Sequence, residues 1–249
     1  MRFLILSDIH GNIDALDAVL ARAPRDSYDR LLVLGDLVGY GGTPNEVVDR
    51  IFDLSPDVII RGNHDKVSAG VENADKFNRI AAEAARWTQE ALSSENRKRV
   101  AGLPAGPKNA DKDVEVCHGT PFDEDSYVFD EKDASRAFES TNRPVCFFGH
   151  THVPVAYTLK GSEVTVTHPQ PRGSETTVIN IVKKNRYLIN PGSIGQPRDT
   201  DPRASYATYD SKKRRVEIRR VPYRIDLAQQ RITESGLPES LAFRLGIGR

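Results

Sequence analysis

Arg2-Phe3-Leu4-Ile5-Leu6-Ser7-Asp8-Ile9-His10-Gly11-Asn12 is the stretch on which the reading of this chain turns. The run through Leu6 is that of a strand buried on both faces. It ends abruptly in a carboxylate, an imidazole and a glycine. Asn12 then stands where a helix cap belongs, before Ile13, Leu16, Val19 and Leu20 at helical spacing. A buried strand that feeds a helix through a polar, glycine-containing corner is the unit of an open α/β sheet. Such sheets bind ligands beyond the carboxyl ends of their strands.

The same punctuation recurs along the chain. A strand over residues 31–34 ends in Gly35-Asp36. A strand over 58–60 ends in Gly62-Asn63-His64-Asp65. Runs at 114–117 and 145–148 lead into His118-Gly119 and Gly149-His150-Thr151-His152. Between them, Thr43-Pro44-Asn45-Glu46 has the form of a helix start with a capping box. Residues 75–92, with Phe77, Ile80 and Trp87, read as a longer helix. This βαβαβα order predicts a mostly parallel sheet with right-handed crossovers. From Val153 the runs shorten (153–159, 164–167, 178–182, 186–189, 206–209 and 216–221) and are separated by turn residues, which predicts an antiparallel sheet. Helices are expected at 226–235 and 239–245, with Gly236 and Gly246 as C-caps, and loops at 104–113 and 168–176. The expectation is one domain over residues 1–249, an α/β fold with two sheets. Its core runs to residue 221, and residues 222–249 form a C-terminal helical extension.

Composition narrows the classes of function. In 249 residues, 38% are hydrophobic and 28% charged, as in an ordinary globular chain and not a disordered one. Lys+Arg and Asp+Glu both number 35, so no global field draws the protein to nucleic acid. The basic run Lys212-Lys213-Arg214-Arg215 reads as a solvated hairpin turn. Cys117 and Cys146 make no disulfide framework. No signal-peptide pattern follows Met1, and no apolar stretch approaches the ~20 residues of a membrane span. A cytoplasmic location without membrane or nucleic-acid partners is expected.

The histidines sharpen the reading. Of six, all but His168 follow a strand and lie within three residues of a glycine. Each alone is more simply a structural histidine. Together with Asp8, Asp36 and Asn63 they supply the imidazole and carboxylate ligands suited to first-row divalent metals. The set exceeds one tetrahedral ion and suits two ions bridged by an aspartate.

The series Asp8-x-His10, Gly35-Asp36, Gly62-Asn63-His64-Asp65, His118 and Gly149-His150-x-His152 resembles the calcineurin-like metallophosphoesterase superfamily, in the family's order. The resemblance implies an α/β/β/α sandwich with parallel and mixed sheets. It implies one divalent metal on Asp8, His10, Asp36 and His152, and a second on Asp36, Asn63, His118 and His150. The ions are of the Mn, Fe, Zn, Ni or Co type. A hydroxide bridging the two metals would be the nucleophile, and His64 would contact the phosphate and protonate the leaving oxygen. Asp65 either orients His64 or is a turn residue. Asn12 contacts substrate or caps its helix, with capping favoured.

The ester is less sharply marked. Phosphoprotein phosphatases and symmetrical dinucleoside tetraphosphatases carry an arginine just after the second motif, where this chain has Leu37-Val38-Gly39-Tyr40-Gly41-Gly42. That removes a bidentate clamp for a terminal phosphate. Asp65 likewise replaces the phosphoprotein phosphatases' glutamate. The resemblance is therefore to the small prokaryotic phosphodiesterase branch, related to diadenosine tetraphosphatase-like proteins. The stretch from Asn190-Pro191-Gly192-Ser193 to Arg203 resembles a loop of that branch near the metals. Arg198 and Arg203 are candidate phosphate contacts, or close a turn with an aspartate. Tyr40 stacks on a base or packs on its loop, and residues 122–138 form a lid or a plain connection. The reading is a phosphodiesterase acting on a nucleotide-like small diester. Alternatives are a dinucleoside polyphosphate hydrolase, a phosphomonoesterase or protein phosphatase and, more distantly, a non-catalytic scaffold.

Overall fold

A computed structural model of the chain describes residues 1–169 and 175–249. Of the loop expected over 168–176, residues 170–174 lie outside the described part. The first half runs β1 (Arg2–Leu6), α1 (Ile13–Arg22), β2 (Arg30–Val33), α2 (Pro44–Asp53), β3 (Val58–Ile59), α3 (Asn63–Ala69), α4 (Arg79–Ala91) and α5 (Ser94–Ala101). The middle holds β4 (Lys108–Asp111), β5 (Val114–Val116), α6 (Glu131–Glu139) and β6 (Val145–Phe147). The remainder is β7 (Val155–Lys160), β8 (Glu163–Thr167), β9 (Thr176–Asn180), β10 (Arg186–Asn190), β11 (Ala204–Asp210), β12 (Arg215–Val221), α7 (Ile225–Glu234) and α8 (Glu239–Ile247).

These strands form two six-stranded mixed sheets, ordered β3-β2-β1-β11-β12-β9 and β4-β5-β6-β10-β7-β8. Side-chain alternation along the central strands builds the layers. Leu4, Leu6, Leu31 and Val33 face outward onto α1 and α2. Phe3, Ile5 and Leu32 face inward, where they meet Val116, Val145, Phe147 and Ile189 of the other sheet. Cys146, Phe148 and Leu188 turn out beneath α6. The result is the expected α/β/β/α sandwich.

Several expectations are corrected. The strands after Val153 do not make one antiparallel sheet. β9, β11 and β12 extend the sheet of β1, while β7, β8 and β10 join β5 and β6. β10 pairs parallel with β6 because its run Tyr187-Leu188-Ile189 is buried on both faces and belongs inside a sheet. The first sheet is parallel only over β1, β2 and β3, since β1 pairs antiparallel with β11. The expected loop 104–113 contains edge strand β4. The helix expected over 75–92 begins at Arg79, where Asn78 Oδ1 accepts from Ala81 N–H. Thr43 makes no capping box; its hydroxyl donates to Gly11 O and accepts from Ile13 N–H, tying α2 to α1. Helix α8 passes Gly246 and ends at Gly248, in the left-handed conformation. Lys212–Arg215 is the β11–β12 turn, as expected.

Candidate metal centre

The corners that follow β1, β2, β3, β5 and β6 converge. Asp8, His10, Asp36 and His152 place ligand atoms within 4.8 Å of one another, as do Asp36, His118 and His150; all are buried. Asn63 Oδ1 lies 3.3 Å from His118 Nε2. The seven side chains named from the sequence thus lie together, with Asp36 common to both groups and Asn63 beside His118.

Backbone carbonyls set the imidazoles. Carbonyl oxygens can only accept, so the facing ring nitrogen must carry the proton. His10 Nδ1 donates to Val38 O (3.1 Å), His118 Nδ1 to Leu34 O (2.8 Å) and His152 Nδ1 to Gln196 O (2.7 Å). His150 is turned the other way, with Nε2 donating to Asp125 O at 3.1 Å. In the neutral imidazoles of His10, His150 and His152 the remaining nitrogen is a lone pair. The Nε2 atoms of His10 and His152 lie 3.0 Å apart. Asp36 Oδ2 lies 3.5 Å from His10 Nε2 and 3.4 Å from His118 Nε2, buried and without a hydrogen-bond partner. Lone pairs converging around a carboxylate oxygen fit divalent cations.

The electrostatics follow from burial. Burial holds the His10 and His152 imidazoles well below their ordinary value, with Arg198 adding to the effect at both. Burial takes His150 to about 3 and His64 to about 4. Burial raises Asp8 to about 6. At Asp36 burial pushes upward, but the His118 imidazolium outweighs it and holds the carboxyl well below its usual range. The same pair raises His118 to about 10 against burial.

The backbone is strained at the same places. Asp8, His10, Asp36, Tyr40, His150 and His152 have φ of 53, 50, 52, 61, 68 and 61°, in the left-handed region that side chains other than glycine seldom adopt. Hydrogen bonds hold them there. Ser193 Oγ and Gly195 N–H donate to Asp8 O, and Asn190 Nδ2 donates to Gly149 O and Thr151 Oγ1. The Asn190–Gln196 loop is thus a clasp over both ligand corners.

The remaining candidates divide. His64 packs against the rings of His10 (5.0 Å), Tyr40 (4.3 Å) and Phe77 (4.6 Å). Asp65 lies in the first turn of α3, where the Leu37, Val38 and Gly62 N–H groups occupy its carboxylate, and among the described residues no bond joins it to the His64 ring. Tyr40 is buried between His10, His64 and Arg198, so it packs in place. Arg203 is closed onto Asp201, away from the centre. Arg198 faces the histidines. Residues 122–138 are both connection and cover: α6 packs under the second sheet, while Tyr127 stacks on His150 at 3.9 Å. Asn12 Oδ1 caps α1 through Ala15 N–H, and its Nδ2 donates to Gly195 O. Asn12→Ala is therefore expected to cost about 1–2 kcal/mol in chemical denaturation while KM stays within about twofold. A large KM change at unaltered stability would restore the substrate-contact role.

Sequence reasoning did not identify the carbonyls of Leu34, Val38, Asp125 and Gln196, because a main-chain acceptor leaves no mark in residue type. Phe77 was read only as part of a helix.

Residues 1–214 match the calcineurin-like phosphoesterase superfamily domain. Over 249 residues, 98% of this chain and 97% of the relative, the sequence is 36% identical to an uncharacterized protein of Methanocaldococcus jannaschii. The phosphodiesterase YfcE of Escherichia coli K12 is 24% identical over 220 residues, 85% of this chain and 88% of that one. The crystal structure of a metallophosphoesterase from Sphaerobacter thermophilus superposes with a TM-score of 0.87 at 40% identity, covering 100% of this chain and 99% of its own. With these likenesses and this cluster of buried histidines and aspartates, the chain belongs to the calcineurin-like phosphoesterase superfamily and is a metal-dependent phosphoester hydrolase.

Proposed function

We propose that the protein is a dinuclear phosphodiesterase acting on a small, nucleotide-like diester. The observation that carries this reading is the shared, unpartnered Oδ2 of Asp36 between two groups of ligands. Asp8, His10, Asp36 and His152 would hold one ion, and Asp36, Asn63, His118 and His150 the other. Manganese, iron, zinc, nickel and cobalt all suit such donors. When bound, two such ions supply an activated water and neutralise charge gathering on the phosphoryl oxygens.

The chain's own groups do the rest. His64 is no ligand in this arrangement. Held to about 4 by burial, its imidazole is neutral near pH 7 and offers an N–H hydrogen bond to the departing oxygen. Tyr40, Phe77 and His10 pack around the ring and fix its orientation. The loop Leu37–Gly42 supplies no arginine to clamp a doubly charged terminal phosphate, which favours a diester over a monoester.

The test is turnover of bis-p-nitrophenyl phosphate against p-nitrophenyl phosphate by protein stripped of metal and restored with manganese. Preference for the diester is expected, with kcat lowered about 10²–10⁴-fold in His64→Ala. Preference for the monoester would overturn the diester reading. No metal-dependent turnover of either ester would favour the scaffold alternative.

A further inference from the structure

Arg79, Arg198 and Arg244 come from three separate parts of the chain and meet beside Tyr40. Among the described residues none of them pairs with a carboxylate. Arg198 Nη2 and Arg244 Nη1 instead donate to the same neutral atom, Gln196 Oε1, at 2.9 and 3.4 Å. Arg198 Nε is buried and has no partner. The guanidinium of Arg198 lies 5.7 Å from the Tyr40 ring centre, and that ring is 4.3 Å from His64. The corner therefore begins one aromatic ring away from the candidate metal centre. Beyond it opens a cleft of about 430 Å³ lined by Tyr40, Asn78, Arg79, Ile80, Ser240 and Arg244, with no acidic residue.

We propose that these three arginines bind a second anionic group of the substrate, a phosphate beyond the diester that is cleaved; this rests on the phosphodiesterase reading above. Two cations gathered on one amide oxygen repel each other, and an anion between them removes the repulsion. The electrostatics agree: burial, then Arg198, pushes the Arg244 guanidinium below its ordinary value. Arg203 is the contrast, since Asp201 satisfies it in both directions. Arg79 adds the N-terminus of the 13-residue helix α4, whose unpaired N–H groups favour negative charge. Arg244 comes from α8, which lies beyond the residues that match the family domain. α7 and α8 pack against α4 and Tyr40 and so carry this arginine to the site. The loop after Asp36 carries no arginine of its own, but its Tyr40 is flanked by arginines from elsewhere in the chain. The substrate class is a nucleotide that bears a phosphate in addition to the diester.

Two measurements decide it. Thymidine 5′-(p-nitrophenyl phosphate), with and without a 3′-phosphate, is compared as substrate of wild type, Arg244→Gln, Arg244→Lys and the exposed Arg79→Gln. The 3′-phosphate is expected to lower the wild-type KM about tenfold, the gain vanishing in Arg244→Gln and partly returning in Arg244→Lys, with the unphosphorylated substrate unaffected. In parallel, pyrophosphate is titrated calorimetrically into metal-free protein, where no metal ion can hold it and the arginine variants report the arginine site. Binding that weakens about tenfold in Arg244→Gln and also in Arg79→Gln supports the site. Equal binding by wild type and both variants, or no binding by wild type, overturns it. If no diester turns over yet pyrophosphate binding still depends on Arg244, the phosphodiesterase reading fails and the anion site stands.

Discussion

Asp36→Asn is expected to lower kcat/KM for a diester by about 10³-fold or more, since metal-borne charge stabilisation is worth several kcal/mol and each ~1.4 kcal/mol is a decade. The substitution is nearly isosteric, and the fold has reason to survive it. Asp36 Oδ1 accepts the His64 backbone N–H at 2.9 Å, and an amide oxygen can do the same. The change falls on Oδ2, which becomes an NH₂ group. That atom now faces the Nε2 nitrogens of His10 and His118 at 3.5 and 3.4 Å, and a donor there occupies the lone pairs that would hold metal. Metal content by mass spectrometry should fall together with activity, because the lost oxygen belongs to both groups. A variant that keeps two ions per chain and wild-type turnover would show that Asp36 bridges nothing.

Gly195→Ala is expected to have the largest effect on stability, a loss of about 3 kcal/mol or more in chemical denaturation. A Cβ at this position would lie 1.8 Å from Ile9 O and 2.6 Å from Ile9 C. These are backbone atoms and cannot swing aside. Gly195 N–H donates to Asp8 O, and the neighbouring Gln196 O holds His152. Relief of the clash must therefore shift either the corner that carries Asp8 and His10 or the loop that orients His152. Metal affinity should fall with stability. An unchanged denaturation midpoint would mean that the clasp has slack the geometry does not show.

The candidate centre was legible in the sequence because each ligand sits just past a strand end and within three residues of a glycine. The apolar runs before Asp8, Asp36, His118 and His150 are short and fully buried, so strand and corner are both written in residue type. What surrounds them was less legible. Lys108-Asn109-Ala110-Asp111 carries no strand signal, and β4 exists because β5 offers it an edge. Helix α5 shows no apolar stripe, since only Asn96 and Val100 are buried. Helix α3 begins at Asn63 itself, inside a motif read as a corner. Sheet membership after Val153 depends on which strands are buried on both faces, and alternation within single short runs does not reveal that. The choice between two roles for Asp65 and Arg203 turned on which partner lay nearest, a tertiary fact.

The left-handed backbone at Asp8, His10, Asp36, His150 and His152 sets this protein's chemistry against its durability. Glycine would occupy any of these positions with less strain, by about 1 kcal/mol. A lineage selected only for heat resistance would drift toward glycine here and dismantle the centre one ligand at a time. The sandwich interior would pass through such a history unchanged, so loss of function in this fold need leave no trace in its core.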